Sequence, residues 1–151
     1  MNIPSAVSAV TVKATLVLHL AGAAAAAFPL FDPVHESKWD PSWKPELTST
    51  SIAEGLVFFT DDERGRATWL LDSYEPGALQ IRYVVFSQTV LDRIDIALKP
   101  DGTNRSIARV TYTRTALDPA ADEQVRRFGY TFPSQAPHWE AAINGVLRAA
   151  Q

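Results

Sequence analysis

The sequence predicts one α+β domain in which an antiparallel sheet packs on an amphipathic C-terminal helix. Between about residues 51 and 117, apolar and polar residues alternate in successive segments joined by short turns, which is typical of an antiparallel meander. From Trp139 to Ala150 the apolar residues instead repeat at helical spacing and form one stripe that needs a partner surface. The 151 residues contain no internal repeat or linker, so we expect residues 1–151 to form a single domain.

The N-terminal part changes its periodicity after the first strand. Ala6–Leu20 alternates strictly enough to predict a half-buried strand. Ala21–Phe31 then predicts a turn and a short helix, because its alanine run has high helix propensity. A second short helix is expected over Val34–Trp39, with Asp32 as N-cap and Pro33 at the first helical position.

The central meander is predicted from alternation and turn residues. Glu75–Gly77 and Pro100–Thr103 combine proline and glycine in the way that tight turns require. The predicted strands are Ser51–Thr60, Arg66–Tyr74, Ala78–Gln88, Val90–Lys99 and Arg105–Thr115.

The C-terminal part reads as two helices. Asp118 can cap a short helix that runs through Arg127, and Gly129–Pro133 is predicted to break it. The last helix is then expected to begin at Ser134 or Gln135.

Composition excludes several classes of function. The net charge is -3 and the basic residues are scattered among acids, so nucleic acid is not expected as a partner. There is no cysteine, which excludes disulfides, thiolate nucleophiles and cysteine-ligated metals. The three histidines are far apart in sequence, and HExxH, GxGxxG, GxxxxGK[ST] and GxSxG motifs are absent. We therefore expect no metal and no other cofactor.

The apolar segment Thr15–Phe28 allows two interpretations. It resembles a secretory signal peptide in its apolar run and its Ala-x-Ala choices. The alternation from Val10 to Leu16 favours a strand instead, and a cytoplasmic protein is the expectation, with secretion as the alternative. Because the run is short and is interrupted by His19 and Gly22, stable membrane insertion is not expected.

Five stretches spread over nearly the whole chain follow the pattern of one superfamily. They are the FDPxxExxWxPxW pattern of Phe31–Trp43, then Gly55–Phe58, Thr68–Trp69 with Tyr74–Pro76, Arg93–Leu98 continuing to Val110–Leu117, and Trp139–Ile143. In this order they resemble the START-like or SRPBCC superfamily, the helix-grip fold, and most of all its bacterial branch labelled polyketide-cyclase or dehydratase-like. The break at Gly129–Pro137 and the poly-alanine run depart from the pattern near the mouth of the fold.

The resemblance implies a fold and a class of partner. It implies a curved antiparallel sheet of about six to seven strands wrapped around the C-terminal helix, with two short helices after the first strand. A cavity between sheet and helix would hold a hydrophobic or aromatic small molecule, lipid- or polyketide-like, in a monomer or homodimer.

We expect the segment Phe28–Trp43, here called the rim, to border the mouth of this cavity. Its tryptophans provide large rigid apolar surfaces, although they could equally cap the core. Tyr83 and Tyr112 are the preferred ligand contacts, because a buried phenol needs a hydrogen-bond partner. The predicted ligand-binding residues are Phe31, Glu36, Trp39, Trp43, Phe58, Trp69, Tyr83, Tyr112 and Trp139.

Charged residues provide the candidates for chemistry. His35 and Glu36 could act as general acid or base, but adjacent residues on a helix do not face each other, so Glu36 could instead hold the rim in place. Three arginines could stabilise an anion or enolate, or could form cross-strand pairs with Asp92 and Asp95. These arginines are Arg82, Arg93 and Arg109.

Three functions remain open from the sequence. The first is binding of a hydrophobic small molecule, and the second is a cyclase, aromatase or dehydratase that uses Glu36 or His35. The third is a protein-interaction module that uses the outer face of the sheet. Two or more titratable groups converging inside the cavity would favour the enzyme, whereas an apolar cavity with at most one polar anchor would favour binding.

Overall fold

The computed structural model describes residues 4–62 and 65–151. In these residues the main feature is a seven-stranded antiparallel sheet with the order β1-β7-β6-β5-β4-β3-β2. The strands are β1 Thr11–Leu20, β2 Glu46–Leu47, β3 Val57–Asp62, β4 Gly65–Glu75, β5 Gln80–Ser87, β6 Val90–Pro100 and β7 Ser106–Ala116. The helices are α1 Ala24–Ala27, α2 Asp122–Thr131 and α3 Ala136–Ala149.

The pairing of β1 with β7 joins the first and the last of these strands along the chain. Leu16 lies opposite Val110, and the ladder runs the length of both strands. A register shift between Leu71 and Ser73 interrupts the pairing of β4 with β5, and such bulges bend and twist a sheet. The result is a curved sheet whose inner face packs on the C-terminal helix.

The predicted alternation of β1 is confirmed, although the strand begins at Thr11 rather than at Ala6. Leu16, Leu18 and Leu20 are buried on the inner face. The segment Thr15–Phe28 thus supplies six of the ten residues of β1 and all of α1. Among the described residues, no helix is both long enough and apolar enough to cross a membrane.

The rim contains short turns. A 3₁₀ turn at Phe28–Phe31 follows α1, and a second turn spans Glu36–Lys38. The helix predicted over Val34–Trp39 is shorter than expected, since only the 3₁₀ turn at Glu36–Lys38 forms. Asp32 still caps the chain before this turn, because its Oδ1 accepts hydrogen bonds from the backbone N–H groups of Val34 (2.9 Å) and His35 (2.7 Å).

The predicted break at Gly129 is wrong. Helix α2 continues through Thr131, and the change to a 3₁₀ turn comes at Phe132–Gln135, where Pro133 lacks a backbone N–H. Gly129 lies inside α2 because the helix runs close to β1: a Cβ at this position would come 3.3 Å from Cβ of Val12. The final helix α3 therefore continues a nearly unbroken helical segment.

Candidate functional site

An internal cavity of about 180 Å³ lies between the inner face of the sheet, α3 and the rim. The chain has four tryptophans, and all of them line this cavity. The lining residues are Glu36, Trp39, Asp40, Trp43, Trp69, Tyr83, Ile94, Ile96, Val110, Tyr112 and Trp139. We call this space the aromatic cavity.

The walls of the aromatic cavity are interlocked rings. Trp43 meets Trp69 edge-on with ring centroids 5.2 Å apart, and Tyr83 meets Trp69 edge-on at 5.5 Å. On the other side, Trp39 of the rim contacts Trp139 of α3 at 5.2 Å. Aromatic pairs in edge-to-face and related geometries are favourable in their own right, so these contacts stabilise the walls.

The polar atoms of three aromatic side chains in the walls donate hydrogen bonds to backbone carbonyl oxygens of the rim. Nε1 of Trp39 donates to the Leu30 carbonyl oxygen at 2.7 Å, and Nε1 of Trp43 donates to that of Pro33 at 2.9 Å. The hydroxyl of Tyr83 donates to the Phe31 carbonyl oxygen at 2.7 Å. These bonds satisfy buried donors and hold the rim against the sheet.

Glu36 is the exception among these polar groups. It lines the cavity, and no described residue donates a hydrogen bond to its carboxyl group. Burial raises the pKa of this carboxyl well above its usual range, and the Asp40 and Asp32 carboxylates raise it further. The protonated acid, which can both donate and accept a hydrogen bond, therefore persists to a higher pH in the folded domain than in the unfolded chain.

The other titratable groups at the cavity already have partners. Asp40 accepts hydrogen bonds from the backbone N–H (3.0 Å) and the hydroxyl (2.6 Å) of Ser42. Tyr83 is committed to the rim, and burial raises the pKa of its hydroxyl well above the usual value. Within the described part of the chain, Glu36 is thus the one cavity-lining carboxyl without a hydrogen bond.

The structure brings together seven of the nine residues predicted to contact a ligand. These seven are Glu36, Trp39, Trp43, Trp69, Tyr83, Tyr112 and Trp139. Phe31 and Phe58 lie in the core next to the cavity, with exposed fractions of 1% and 0%, and do not line it. Whether any of the nine contacts a ligand stays a prediction.

His35 does not join Glu36 at the cavity. Its ring Nδ1 lies 2.7 Å from Oδ2 of Asp32, to which it donates. The two candidate acid–base residues therefore face different surroundings, as the geometry of adjacent positions predicts.

The three predicted arginines belong to the outer face of the sheet. Arg82 pairs across strands with Asp95 at 2.6 Å, whereas Arg93 and Arg109 are exposed. The predicted pairing of Asp92 with one of these arginines is wrong, because Asp92 points inward and pairs with Arg114.

Arg114 is the inward-facing residue that sequence reasoning missed. It follows Tyr112 by two positions in β7, and Asp92 precedes Ile94 by two in β6. The period of two along a strand already places these charges on the inner face, so the alternation itself was the available signal.

No group of three or more histidine, aspartate and glutamate side chains in residues 4–62 and 65–151 is arranged to hold a metal ion.

Comparison with known proteins identifies the fold. No protein-family model matches the sequence, and no curated protein matches it. Among solved structures, norcoclaurine synthase from Thalictrum flavum, in complex with dopamine and hydroxybenzaldehyde, superposes with a TM-score of 0.71 at 13% identity, covering 100% of this chain and 98% of that one. The chain has the START-like, helix-grip fold.

Two bacterial structures agree with this assignment. A START superfamily protein from Mycobacterium smegmatis gives a TM-score of 0.65 at 12% identity, covering 92% of this chain and 99% of that one. A protein from Thermobifida fusca gives 0.69 at 15% identity, with 89% and 94% covered. The expected fold is confirmed, and at these identities the likeness is one of fold alone.

Proposed function

We propose that this domain binds a small one-ring aromatic molecule that carries a hydroxyl group, with the ring in the aromatic cavity and the hydroxyl at Glu36. The size of the cavity is the observation on which this proposal rests. Its volume is about 180 Å³. An apolar protein cavity of about 150 Å³ takes up benzene, whereas sites for larger ligands span roughly 300–1,000 Å³. One ring fits, and a long lipid or a multi-ring polyketide does not.

The lining supports an aromatic ligand of modest affinity. A ring that buries about 150 Å² of apolar surface gains about 4 kcal/mol, which corresponds to a Kd near 1 mM. A hydrogen bond to the protonated Glu36 would add about 1 kcal/mol. The protonated carboxyl can accept from a ligand hydroxyl through its carbonyl oxygen and donate through its own hydroxyl.

The fold is known to accommodate molecules of this class. The norcoclaurine synthase structure holds dopamine and hydroxybenzaldehyde, each of which has one aromatic ring with hydroxyl substituents. That observation concerns the other protein, and it supports the proposal only through the common fold.

Acid catalysis in the same cavity is the second candidate. The raised pKa of Glu36 favours it, because a protonated carboxyl could donate to a bound carbonyl or leaving hydroxyl, as a cyclase or dehydratase would require. Binding is the better-supported function because Asp40 and Tyr83, the groups that could assist Glu36, are engaged with Ser42 and Phe31.

Titration with phenol tests the proposal. We expect phenol to change the fluorescence of the four tryptophans and to bind with a Kd near or below about 1 mM. Glu36→Leu should weaken binding by about five- to tenfold, because the anchor is lost. Glu36→Gln should change it by less than about twofold, because the amide still donates and accepts.

The control is Glu54→Gln, at an exposed position outside the cavity. Its affinity for phenol should equal that of the wild type. If phenol at about 10 mM leaves both the fluorescence and the heat of mixing unchanged, the proposal is wrong. Conversion of a hydroxylated aromatic aldehyde or alcohol by the wild type, but not by Glu36→Gln, would favour the enzyme instead.

A further inference from the structure

A second space adjoins the aromatic cavity. It is a groove of about 310 Å³ between the sheet and the start of α2, and Trp69 and Tyr112 line both spaces. We call it the polar groove, because Asp92 and Arg114 belong to its lining. Trp69 and Tyr112 thus form the boundary between the two spaces, and a ring in the aromatic cavity would lie against side chains that also border the polar groove.

The Asp92–Arg114 pair is buried and has a fixed geometry. Nε and Nη2 of Arg114 donate to the two carboxylate oxygens of Asp92 at 2.7 and 2.8 Å. Each residue has an exposed fraction of only 8%. The guanidinium also lies 3.6 Å from the ring centroid of Phe128 in α2, which covers one of its faces. Such a two-pronged, stacked arrangement leaves Arg114 little freedom to move.

One donor nitrogen of Arg114 has no acceptor. Nη1 forms no hydrogen bond with any described residue, although Nε and Nη2 are both engaged. Nη1 is also not among fully buried polar atoms without a partner, of which residues 4–62 and 65–151 contain none. The atom is therefore not completely buried, and the space that Arg114 lines is the polar groove.

The charge balance indicates which acceptor would suit Nη1. Asp92 neutralises the charge of Arg114 at contact distance, so a full anion would gain little net attraction and would still lose its hydration. A neutral oxygen, such as a ketone carbonyl, loses less hydration and satisfies the free N–H. Apolar replacements of buried ion pairs are often neutral or stabilising, so burial of the pair is weak evidence for a role in stability.

We propose that Arg114 provides a second binding subsite, in which Nη1 donates a hydrogen bond to a neutral carbonyl oxygen on a side chain of the bound ring. The inference rests on the proposed function, since the ring itself occupies the aromatic cavity. It defines the ligand class more closely as an aromatic ring with a short ketone-bearing chain.

The test compares two probes of nearly equal shape. 4-Phenylbutan-2-one carries the carbonyl, and in isopentylbenzene a methyl group replaces its oxygen. The double variant Asp92→Leu with Arg114→Met removes the subsite without leaving a buried unpaired charge. We expect the affinity for the ketone relative to the hydrocarbon to fall by about tenfold in this variant, the usual effect of losing a hydrogen bond to a charged group.

A matched control lies on the outer face of the sheet. Arg82→Met with Asp95→Leu removes an exposed cross-strand ion pair and should leave the ketone-to-hydrocarbon ratio unchanged. Phenol binding should be equal in the wild type and both double variants, which also shows that the aromatic cavity is intact.

The possible results distinguish failure of the subsite from failure of the proposed function. An unchanged ratio in the Asp92→Leu, Arg114→Met variant, with phenol still bound, would overturn the subsite and leave the proposed function standing. A ratio that falls equally in the control variant would also overturn it. Failure of phenol and both longer probes to bind the wild type would overturn the subsite and the proposed function together.

Discussion

Glu36 reaches the aromatic cavity because Asp32 fixes the turn that precedes it. The Asp32 side chain accepts two backbone N–H groups, and its carbonyl oxygen accepts the N–H of Glu36 at 3.2 Å. The same carboxylate holds the ring of His35. One capping residue thus turns His35 toward itself and leaves the neighbouring Glu36 side chain to face the cavity.

The pH dependence of stability tests the state of Glu36. Its pKa is raised in the folded protein, whereas the unfolded chain titrates near 4.3. Above about pH 4.3 the unfolded state releases a proton that the folded state retains, so this group lowers the free energy of unfolding as pH rises toward the folded pKa. Glu36→Gln should therefore gain stability relative to wild type, by up to about 1.4 kcal/mol per pH unit.

Urea denaturation between about pH 4 and 8 measures this difference. The exposed Glu54→Gln variant serves as control, and its stability curve should run parallel to that of the wild type. A Glu36→Gln curve parallel to the wild type as well would mean that the Glu36 carboxyl titrates normally in the folded protein.

The sequence predicted which residues lie on the inner face of the sheet, but not how deeply each side chain is buried. Trp69 and Phe58 are cross-strand neighbours with stacked rings 5.4 Å apart, yet only Trp69 lines the cavity. Alternation decides the face of a strand, but it does not decide how completely each inward ring is covered: Phe58 is fully buried, whereas Trp69 is half-buried. Arg114 was overlooked for a different reason: a charge on an inward position conflicts with an apolar core, although the period predicts its direction.

At the scale of elements, Gly129 at the contact between α2 and β1 has a different role from the one that its sequence context indicates. In sequence, Gly129 and Pro133 together indicate a helix break. In the structure Gly129 is an interior helical residue whose missing side chain admits Val12 of β1. The distinction depends on a strand more than a hundred residues away, so local propensity does not contain it.

A double-mutant cycle tests this contact. Alanine in place of a helix-interior glycine normally stabilises by about 1 kcal/mol. At Gly129 the new Cβ meets Val12 at 3.3 Å, so Gly129→Ala should gain much less than that. In a Val12→Gly background the Cβ atom and both Cγ atoms of Val12 are removed, and we expect most of the gain to return. Thermal or urea unfolding of the four proteins gives the coupling energy.

Gly145 in α3 provides the matched control, because a Cβ there meets no atom within 4 Å. Gly145→Ala should show the full gain of about 1 kcal/mol in either background. Equal effects of Gly129→Ala with and without Val12→Gly would show that close approach to β1 is not the reason for the glycine.

At the scale of the whole molecule, the position of β1 in the sheet and the cavity depend on segments that are distant in sequence, so no single segment predicts them. Short turns predict the neighbours within the meander from β3 to β7, but the addition of β1 beside β7 pairs residues about a hundred positions apart. Neither the alternation nor the implied curved sheet specified which strand β1 would pair with. The aromatic cavity is space that the side chains of the sheet, the rim and α3 leave unfilled. The periodicity of apolar residues predicts which side chains face inward, but not how much of the interior they fill.

Filling the cavity separates the effect of its volume from that of its polar groups. Ile96 lines the aromatic cavity from β6, and Ile96→Phe would direct a larger side chain into space that is already present. In a close-packed core such a change costs about 1–3 kcal/mol, so a smaller change in the free energy of unfolding is expected here. Phenol affinity should fall by at least about tenfold, because the ring and the new side chain compete for one volume.

Val17→Phe is the control, since Val17 lies on the outer face of β1 with an exposed fraction of 40%. It should leave phenol affinity unchanged. Urea denaturation and tryptophan fluorescence titration of the same samples provide the free energy of unfolding and the phenol affinity.

Three outcomes of the Ile96→Phe experiment have distinct meanings. Lost binding with retained stability locates the ligand in the aromatic cavity, and unchanged binding in a folded Ile96→Phe protein would locate it elsewhere. A destabilisation of about 3 kcal/mol would mean that the rim does not leave this volume free in solution.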